Sequence, residues 1–214
     1  MTIVIISVKA NGEEESVPRI SQQDKARNRQ NIVDAASRLF RSRGVDRVGI
    51  DDLMKAAGLT HGGFYNHFPS KDALAVEVYG AAFERSLGLL AQESADGPDE
   101  DGTVVARVVN GYLSPQHRDD PDGGCPSASL CIDAWRQDDE VQSAYATGVH
   151  GYLDGFAGEL TREHPDLTPA EIRERSVRLL SELVGAMVLA RSIRRVEPEL
   201  SDEFLETNRR HLAD

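Results

Sequence analysis

Cysteine is scarce in this sequence, with two residues in 214, and no set of cysteines and histidines has the spacing of a zinc site. Because Cys125 and Cys131 have no further partners in the chain, the sequence predicts neither a disulfide framework nor a structural metal. No apolar run approaches the roughly 18 residues of a membrane span. We therefore expect a cytoplasmic protein with no membrane partner, no metal and no cofactor.

Basic residues are also fewer than acidic residues in this sequence. The chain has 24 Lys and Arg residues against 36 Asp and Glu residues, which excludes a basic architectural protein that coats nucleic acid without specificity. The charges are unevenly placed, since residues 17–70 carry nine basic and five acidic residues, whereas the part from Lys71 onward carries fourteen and twenty-eight. Such an asymmetry is typical of a DNA-facing module attached to an acidic domain.

The apolar residues follow a helical period, and no segment alternates as a strand does, so we predict an all-α fold. Residues 1–24 are predicted to be a flexible N-terminal arm, residues 25–70 a three-helix DNA-binding domain, and residues 71–214 a larger helical domain. Beyond the long helix that opens after Ser70, helical patterns cover residues 103–113, 127–137, 140–163, 169–194 and 201–212. Prolines and glycines in residues 114–126 indicate an exposed loop.

A helix-turn-helix pattern lies inside the first predicted domain. Two short amphipathic helices, residues 50–57 and 61–67, are separated only by Gly58, Leu59 and Thr60. In this arrangement the glycine reverses the chain, the leucine fills the space between the helices, and the threonine caps the second helix. The second helix is therefore predicted to read DNA.

Two adjacent glycines, Gly62 and Gly63, are unusual in a helix because each costs about 1 kcal/mol relative to alanine. A surface without side chains lets the backbone approach a groove edge or a phosphate, which compensates for that cost. Asn66 and His61 can form hydrogen bonds with base edges or with backbone oxygens of DNA, and Tyr65 can donate its hydroxyl to a phosphate. These residue types at this spacing favour contact with DNA.

The runs Phe40–Gly44, Ile50–Leu59 and Thr60–Lys71 resemble the DNA-binding domain of the tetracycline-repressor (TetR) family. The resemblance implies a helix-turn-helix domain, a larger helical domain that binds ligand and dimerises, and a homodimer on a palindromic double-stranded operator. It implies phosphate contacts from Thr60, Tyr65, His67 and Lys71, and base contacts from His61, Gly62, Gly63 and Asn66. The function expected is that of a transcriptional regulator, a repressor released by a small-molecule inducer, although activation stays open.

Dimerisation also follows from size, since one short recognition helix buries too little surface for tight specific binding. The helix predicted over residues 169–194 carries an apolar stripe that suits a helix-pair interface. The residues of the predicted interface are Leu179, Leu180, Leu183, Val184, Met187 and Val188. The alternative is that this stripe belongs to the core of a single chain.

A ligand pocket is expected in the second domain, where aromatic and polar side chains are candidates for its walls. These candidates are Phe83, Tyr112, Cys125, Trp135, Tyr145, His150, Tyr152 and Phe156. The alternative for each of them is an ordinary core position.

Among these pocket candidates, Cys125 has the most specific sequence context. The sequence Gly123–Ser127 places its thiol just before a helix, where backbone N–H groups favour a thiolate. One hypothesis is that Cys125 is a thiol switch that senses electrophiles or oxidants, and the other is that it is only a small residue in a tight turn.

A cysteine enzyme would use Cys125 as the nucleophile and His150 as the base. The sequence offers no third group to orient the base, so we expect no enzyme.

Overall fold

The computed structural model describes residues 21–98, 102–120 and 124–213, and within these ranges the chain forms helices and no strand. The prediction of an all-α fold is confirmed. The α-helices are α1 (Gln22–Arg43), α2 (Ile50–Ala56), α3 (Lys71–Asp96), α4 (Val104–Tyr112), α5 (Pro115–Asp119), α6 (Pro126–Ala134), α7 (Asp139–Glu163), α8 (Pro169–Ile193) and α9 (Pro198–Ala213). The predicted arm over residues 1–24 lies outside the described residues as far as residue 20.

Capping residues set the limits of the first helices. The side chain of Ser21 accepts a hydrogen bond from the backbone N–H of Asp24, so α1 begins three residues before the predicted start. Gly44 ends α1 with φ 85° and ψ 151°, a conformation that only glycine adopts readily. Gly58, with φ 71°, reverses the chain after α2 as predicted.

The segment after this turn is a 3₁₀ helix, His61–Asn66, where the sequence predicted an α-helix through His67. Its hydrogen bonds span three residues, from Gly63 N–H to Thr60 O at 3.0 Å and from His67 N–H to Phe64 O at 2.9 Å. The glycine pair lowers helix propensity, and short helical segments often adopt 3₁₀ hydrogen bonding. The predicted helix is therefore present, one residue shorter than predicted, and its hydrogen bonding is of the 3₁₀ type.

The predicted DNA-binding domain shares its hydrophobic core with later helices. The core cluster around Phe40, Leu53, Phe64 and Phe68 also contains side chains from α3, α6 and α7. The later members are Leu74, Ala75, Val78, Tyr79, Ala82, Leu130, Ala134 and Val141. Side chains from beyond residue 70 therefore fix the orientation of the helix-turn-helix.

The second cluster joins α3, α4, α6, α7, α8 and α9, and within it α3 and α7 share an extensive contact. Glycines on α7 make this approach possible, because a Cβ at each would collide with a side chain of α3. The facing pairs are Gly148 with Phe83, Gly151 with Leu87, and Gly155 with Leu90.

The prediction of an exposed loop over residues 114–126 is wrong, because α5 lies within it. The side chain of Ser114 caps this helix by accepting from the N–H of His117 at 3.2 Å, and Pro115 suits its first position. Arg118 then ties α5 to α9 by hydrogen bonds to Ser201 at 2.9 Å and Asp202 at 2.5 Å. A proline-rich stretch thus becomes a short helix held by tertiary contacts.

The described residues contain neither a membrane-spanning helix nor a cluster of metal ligands. Among residues 21–98, 102–120 and 124–213, no helix combines the length and the apolar character needed to cross a bilayer. The same ranges contain no cluster of three His, Cys, Asp or Glu side chains arranged to hold a metal ion.

Candidate nucleic-acid interface and ligand cavity

The 3₁₀ helix has one buried side and one exposed side. Phe64 and Phe68 are almost completely buried, with ring centroids 5.8 Å apart, and they anchor the segment to the first core cluster. The exposed residues are Thr60, His61, Gly62, Tyr65 and Asn66. The glycine-bearing side therefore faces away from the core.

The two glycines are not required equally by the protein's own packing. A Cβ at Gly62 would meet no atom within 4 Å, whereas a Cβ at Gly63 would lie 3.4 Å from Cε of Met54. Packing within the chain therefore leaves room for a side chain at Gly62. The bare surface there is available for close approach by another molecule.

Two exposed residues beside these glycines have side chains that are oriented by neighbouring residues. The imidazole of His61 pairs through Nδ1 with the carboxylate of Asp51 in α2, which holds the ring against the first helix of the motif. Tyr65 is 63% exposed, and its ring meets the ring of Phe64 edge-on with centroids 5.3 Å apart. Both side chains are thus oriented by neighbours while they stay open to solvent.

Lys71, for which the resemblance implies a phosphate contact, is partly engaged within the chain. It is half-buried, and its ammonium donates to the carbonyl oxygens of Val45 at 3.0 Å and Val48 at 3.4 Å. These bonds tie the start of α3 to the connection between α1 and α2. One of the three N–H donors remains for a phosphate.

His67 is also half-buried, and its Nδ1 has no hydrogen-bond partner among the described residues. Burial lowers the pKa of His67, and the positive charges of Lys25 and Arg29 lower it further. The imidazole is therefore neutral at pH 7, and any phosphate contact that it makes is a neutral hydrogen bond rather than an ion pair.

A cavity of about 350 Å³ lies between α3, α4, α7 and α8. Its walls include the predicted residues Tyr112, Cys125, Tyr152 and Phe156. The other lining residues are Arg41, Ala82, Arg85, Ser86, Leu89, Leu90, Glu93, Arg107, Val108, Gly111, His117, Gly124, Leu180 and Leu183. The volume falls within the range of about 300–1,000 Å³ that is typical of small-molecule sites.

The other four predicted pocket residues do not line this cavity. Phe83 and Tyr145 pack behind it, with centroids 5.4 Å apart, because both belong to the hydrophobic core. Trp135 is 67% exposed under the guanidinium of Arg136, and His150 is exposed on α7. Since His150 is absent from the walls that include Cys125, the structure also does not assemble the nucleophile and base of a cysteine enzyme.

The thiol of Cys125 lies among tyrosine hydroxyls. Its Sγ is 3.3 Å from Oη of Tyr152, which donates to Oγ of Ser86 at 2.6 Å. The hydroxyl of Tyr112 is also beside this thiol, but it has no well-directed hydrogen bond within the described residues. Burial raises the pKa values of Tyr112 and Tyr152, so both hydroxyls stay protonated. The proton of Tyr152 is committed to Ser86, whereas that of Tyr112 can be donated to a ligand.

His117 connects the backbone on either side of the segment that precedes α6. Its Nε2 accepts from the N–H of Cys125 at 3.0 Å, so the proton is on Nδ1, which donates to Tyr112 O at 2.8 Å. Burial lowers the pKa of His117, and the guanidinium of Arg191 lowers it further. The ring is therefore neutral, and protonation at Nε2 would remove the acceptor for Cys125.

We expect the stability of the protein to fall as the pH falls below about 6.5, the ordinary value for histidine. The folded pKa of His117 is lower than the unfolded one, so its contribution is complete above that pH and is lost as the pH drops through the folded value. The expected loss is about 1–3 kcal/mol, the cost of an unpaired buried group. Urea unfolding at a series of pH values measures it.

The matched variant for this measurement is His117→Gln, which carries no titrating group. Its free energy of unfolding should change less between pH 7.5 and pH 5 than that of the unaltered protein. The remaining slope should include His67, whose pKa is shifted in the same direction. Equal slopes in the two proteins would contradict the assignment to His117.

Sequence reasoning missed Arg41, which lies in α1 and nevertheless lines the cavity. Its Nη1 donates to the carbonyl of Gly124 at 2.5 Å, just before Cys125. At the other end of α6, Oδ2 of Asp133 accepts from the N–H of Val45 at 3.3 Å. The cavity and the helix-turn-helix are thus joined by contacts over 80 residues apart in sequence, which no local pattern indicates.

The predicted dimer stripe on α8 divides into two faces. Leu179, Leu183 and Met187 are buried in the core of the chain itself, which corrects their assignment to an interface, and Leu180 lines the cavity. The remaining two, Val184 and Val188, are half-buried on the outer side of the helix, and Val188 also packs against the second core cluster. The helix period separates the two sets, because positions four apart share a face.

Comparisons with known proteins agree with the helix-turn-helix. The family model described as "Bacterial regulatory proteins, tetR family" matches residues 32–78. The transcriptional repressor KstR2 of Rhodococcus jostii is 30% identical over 44% of this chain and 47% of its own length, and the regulator AcrR of Shigella flexneri is 37% identical over 42% of each. The chain therefore spans less than half of the length of these first curated relatives.

Solved structures match over a larger part of the chain. The reduced form of Escherichia coli NemR has a TM-score of 0.66 at 22% identity and covers 86% of this chain and 95% of its own. A TetR transcriptional regulator from Legionella pneumophila has a TM-score of 0.70 at 18% identity, with 85% and 93% covered. At these identities the likeness shows a shared fold.

Proposed function

Because the chain belongs to the tetR family of bacterial regulatory proteins, which its residues 32–78 match, we propose that it is a sequence-specific repressor of transcription. It binds a palindromic double-stranded operator and leaves it when a small molecule occupies the cavity. The observation that carries this proposal is the two-sided 3₁₀ helix. Phe64 and Phe68 hold it from below, while Gly62 faces outward with open space around it.

On the operator, the 3₁₀ helix enters the major groove, where base edges differ for each base pair. The bare backbone at Gly62 allows close approach, and Asn66 and His61 form hydrogen bonds with bases. The phosphate contacts come from Thr60, Tyr65, His67 and Lys71. Lys71 serves twice, since it also ties α3 to the preceding connection.

The regulator acts as a homodimer through the outer side of α8. This side carries Val177, which is 42% exposed, together with the half-buried Val184 and Val188. Ser181 and Gly185 lie among them and are small enough for a second helix to approach closely. A two-fold pair of chains then presents two 3₁₀ helices to successive half-sites.

Release depends on the contacts that join the cavity to the helix-turn-helix. A ligand in the cavity meets Arg41 of α1 directly and meets α3, the helix that follows the DNA-reading segment. If it binds the DNA-free arrangement of these helices more tightly, it lowers operator affinity by that difference in binding energy. The hydrogen bond from Arg41 to Gly124 is the contact through which α1 senses the occupied cavity.

The test is selection of bound fragments from genomic DNA with the purified protein, followed by footprinting of the retrieved sites. We expect a palindrome whose half-sites are about 34–36 Å apart, one DNA turn, or a multiple of it. Sequence-independent binding, or no binding at physiological salt, would refute the proposal.

A second candidate is a thiol sensor that works through Cys125. The observation in its favour is that the thiol lines the cavity beside the protonated hydroxyl of Tyr112, which can donate to the carbonyl oxygen of an electrophile. In a conjugate addition, sulfur bonds to the β-carbon of the electrophile and the thiol proton moves to the α-carbon. The similar E. coli repressor NemR is described in a reduced form.

Replacement of Cys125 with serine separates the two candidates. If the thiol is the switch, C125S should bind the operator normally and should no longer be released by N-ethylmaleimide, as measured by fluorescence anisotropy of labelled operator. Cys131→Ser is the matched control, because Cys131 does not line the cavity, and it should still be released. Equal release of both variants would restrict Cys125 to a structural role.

A further inference from the structure

The cavity walls carry an excess of positive charge in a protein whose net charge is −12. Three arginines line it, Arg41, Arg85 and Arg107, against one carboxylate, Glu93. That carboxylate pairs with Arg107 at 3.2 Å, so the two charges offset one another. Arg85 is exposed at the cavity and forms no salt bridge within the part of the chain that the structure describes.

The remaining polar groups of the cavity add hydrogen-bond donors and no negative charge. His117 is neutral, because burial lowers its pKa and its Nε2 accepts from a backbone N–H. The buried hydroxyl of Tyr112 is protonated and lacks a well-directed hydrogen bond within the described residues. A buried donor without a partner is costly, and a ligand oxygen would remove that cost.

The other walls are apolar. They are formed by the side chains of Leu89, Leu90, Val108, Phe156, Leu180 and Leu183. A ligand that fills this part of the cavity removes hydrocarbon from water at roughly 25 cal/mol per Å². The cavity therefore combines an apolar body with arginines that attract one kind of charge.

We propose that the cavity binds a small amphipathic organic anion, a carboxylate with a hydrocarbon body, and that Arg85 recognises its charge. This inference rests on the proposed function, since it names the chemical class of the inducer. The carboxylate pairs with the Arg85 guanidinium, while the hydrocarbon body contacts the leucines and Phe156. A ligand cation would meet a surplus of positive charge, and a neutral ligand would leave the guanidinium without a counter-charge.

The experiment is isothermal titration of the purified full-length protein with decanoate, and separately with decanol and decylamine as probes of equal chain length. We expect decanoate to bind about tenfold more tightly than decanol, because a hydrogen bond to a charged group is worth about that factor. Decylamine should bind more weakly than either.

The variant Arg85→Gln should reduce the preference for decanoate over decanol to near unity while the affinity for decanol stays the same. Arg195→Gln is the matched control, since Arg195 is an exposed arginine that does not line the cavity, and it should keep the full preference. Tyr112→Phe should weaken decanoate binding by a smaller factor. Thermal unfolding of each variant shows whether the fold is retained.

The inference would be overturned if decanoate and decanol bound with equal affinity, or if neither showed saturable binding. It would also be overturned if Arg85→Gln kept the full preference for decanoate. The titration contains no DNA, so its outcome is separate from that of the operator selection. A protein that binds its palindrome but does not prefer the anion refutes the ligand class alone. A protein that prefers the anion but retrieves no operator refutes the proposed function alone.

Discussion

Replacing Gly62 with glutamate is expected to lower the affinity for operator DNA by about a hundredfold or more. The chain itself has room for the new side chain, since nothing lies within 4 Å of a Cβ at this position. In the complex, the same side chain would occupy the space that the groove needs, and its carboxylate would face phosphates. Like charges at such an interface cost several kcal/mol, and about 3 kcal/mol corresponds to a factor of a hundred.

Fluorescence anisotropy with labelled operator measures this loss, and urea unfolding shows that the fold is unchanged. Gly88→Glu is the matched control, because Gly88 is an exposed glycine in α3 whose Cβ would also meet nothing within 4 Å. It adds the same charge and should leave operator affinity within about twofold, since the Debye length of roughly 8 Å screens a distant charge. Wild-type affinity in Gly62→Glu would show that this surface does not meet DNA.

Replacing Gly148 with alanine is expected to lower the free energy of unfolding by about 2–3 kcal/mol. Alanine is the better helix former by about 0.5–1 kcal/mol, so an isolated helix would gain from this change. In the folded protein, however, the new Cβ would lie inside the ring of Phe83, and either that ring or the whole of α3 must move. Overpacking of this kind commonly costs about 1–3 kcal/mol and sometimes more.

Urea unfolding monitored by circular dichroism measures this difference. Gly158→Ala is the matched control, since it lies in the same helix, is exposed, and would meet nothing within 4 Å. It should raise stability by about 0.5–1 kcal/mol, so the two alanine variants should shift the unfolding midpoint in opposite directions. Stabilisation by both would contradict the close contact between Gly148 and the ring of Phe83.

Most of the long helices could be predicted because their signals are local. Ser70 accepts from the N–H of Ala73 and opens α3, and Pro69 before it prevents the preceding segment from continuing. The amphipathic period of α8 and its start at Pro169 were equally readable, since Thr168 caps it three residues ahead of Glu171. Such signals depend on neighbours within about one helical turn, and those neighbours are adjacent in the sequence.

The cavity could be predicted only in part. Cys125, Tyr112, Tyr152 and Phe156 were expected in it on the basis of residue type, but the same reasoning selected the exposed Trp135. The type of a residue limits the contacts that it can make, but it does not determine which side of a helix packs against another helix. In the same way, the apolar stripe of α8 was assigned to a dimer, although most of it packs into the chain's own core.

The order of residues along the chain was enough to predict an all-helical protein, the turn at Gly58, and the outward position of Gly62, because each depends on backbone preferences and helical period. The folded chain alone determined that Arg41 reaches Gly124, that Lys71 binds the carbonyls of Val45 and Val48, and that Gly148 admits the ring of Phe83. The physical reason is distance along the chain. Helix packing brings together groups that are tens of residues apart, and a repeat of 3.6 residues carries no information about which groups those are.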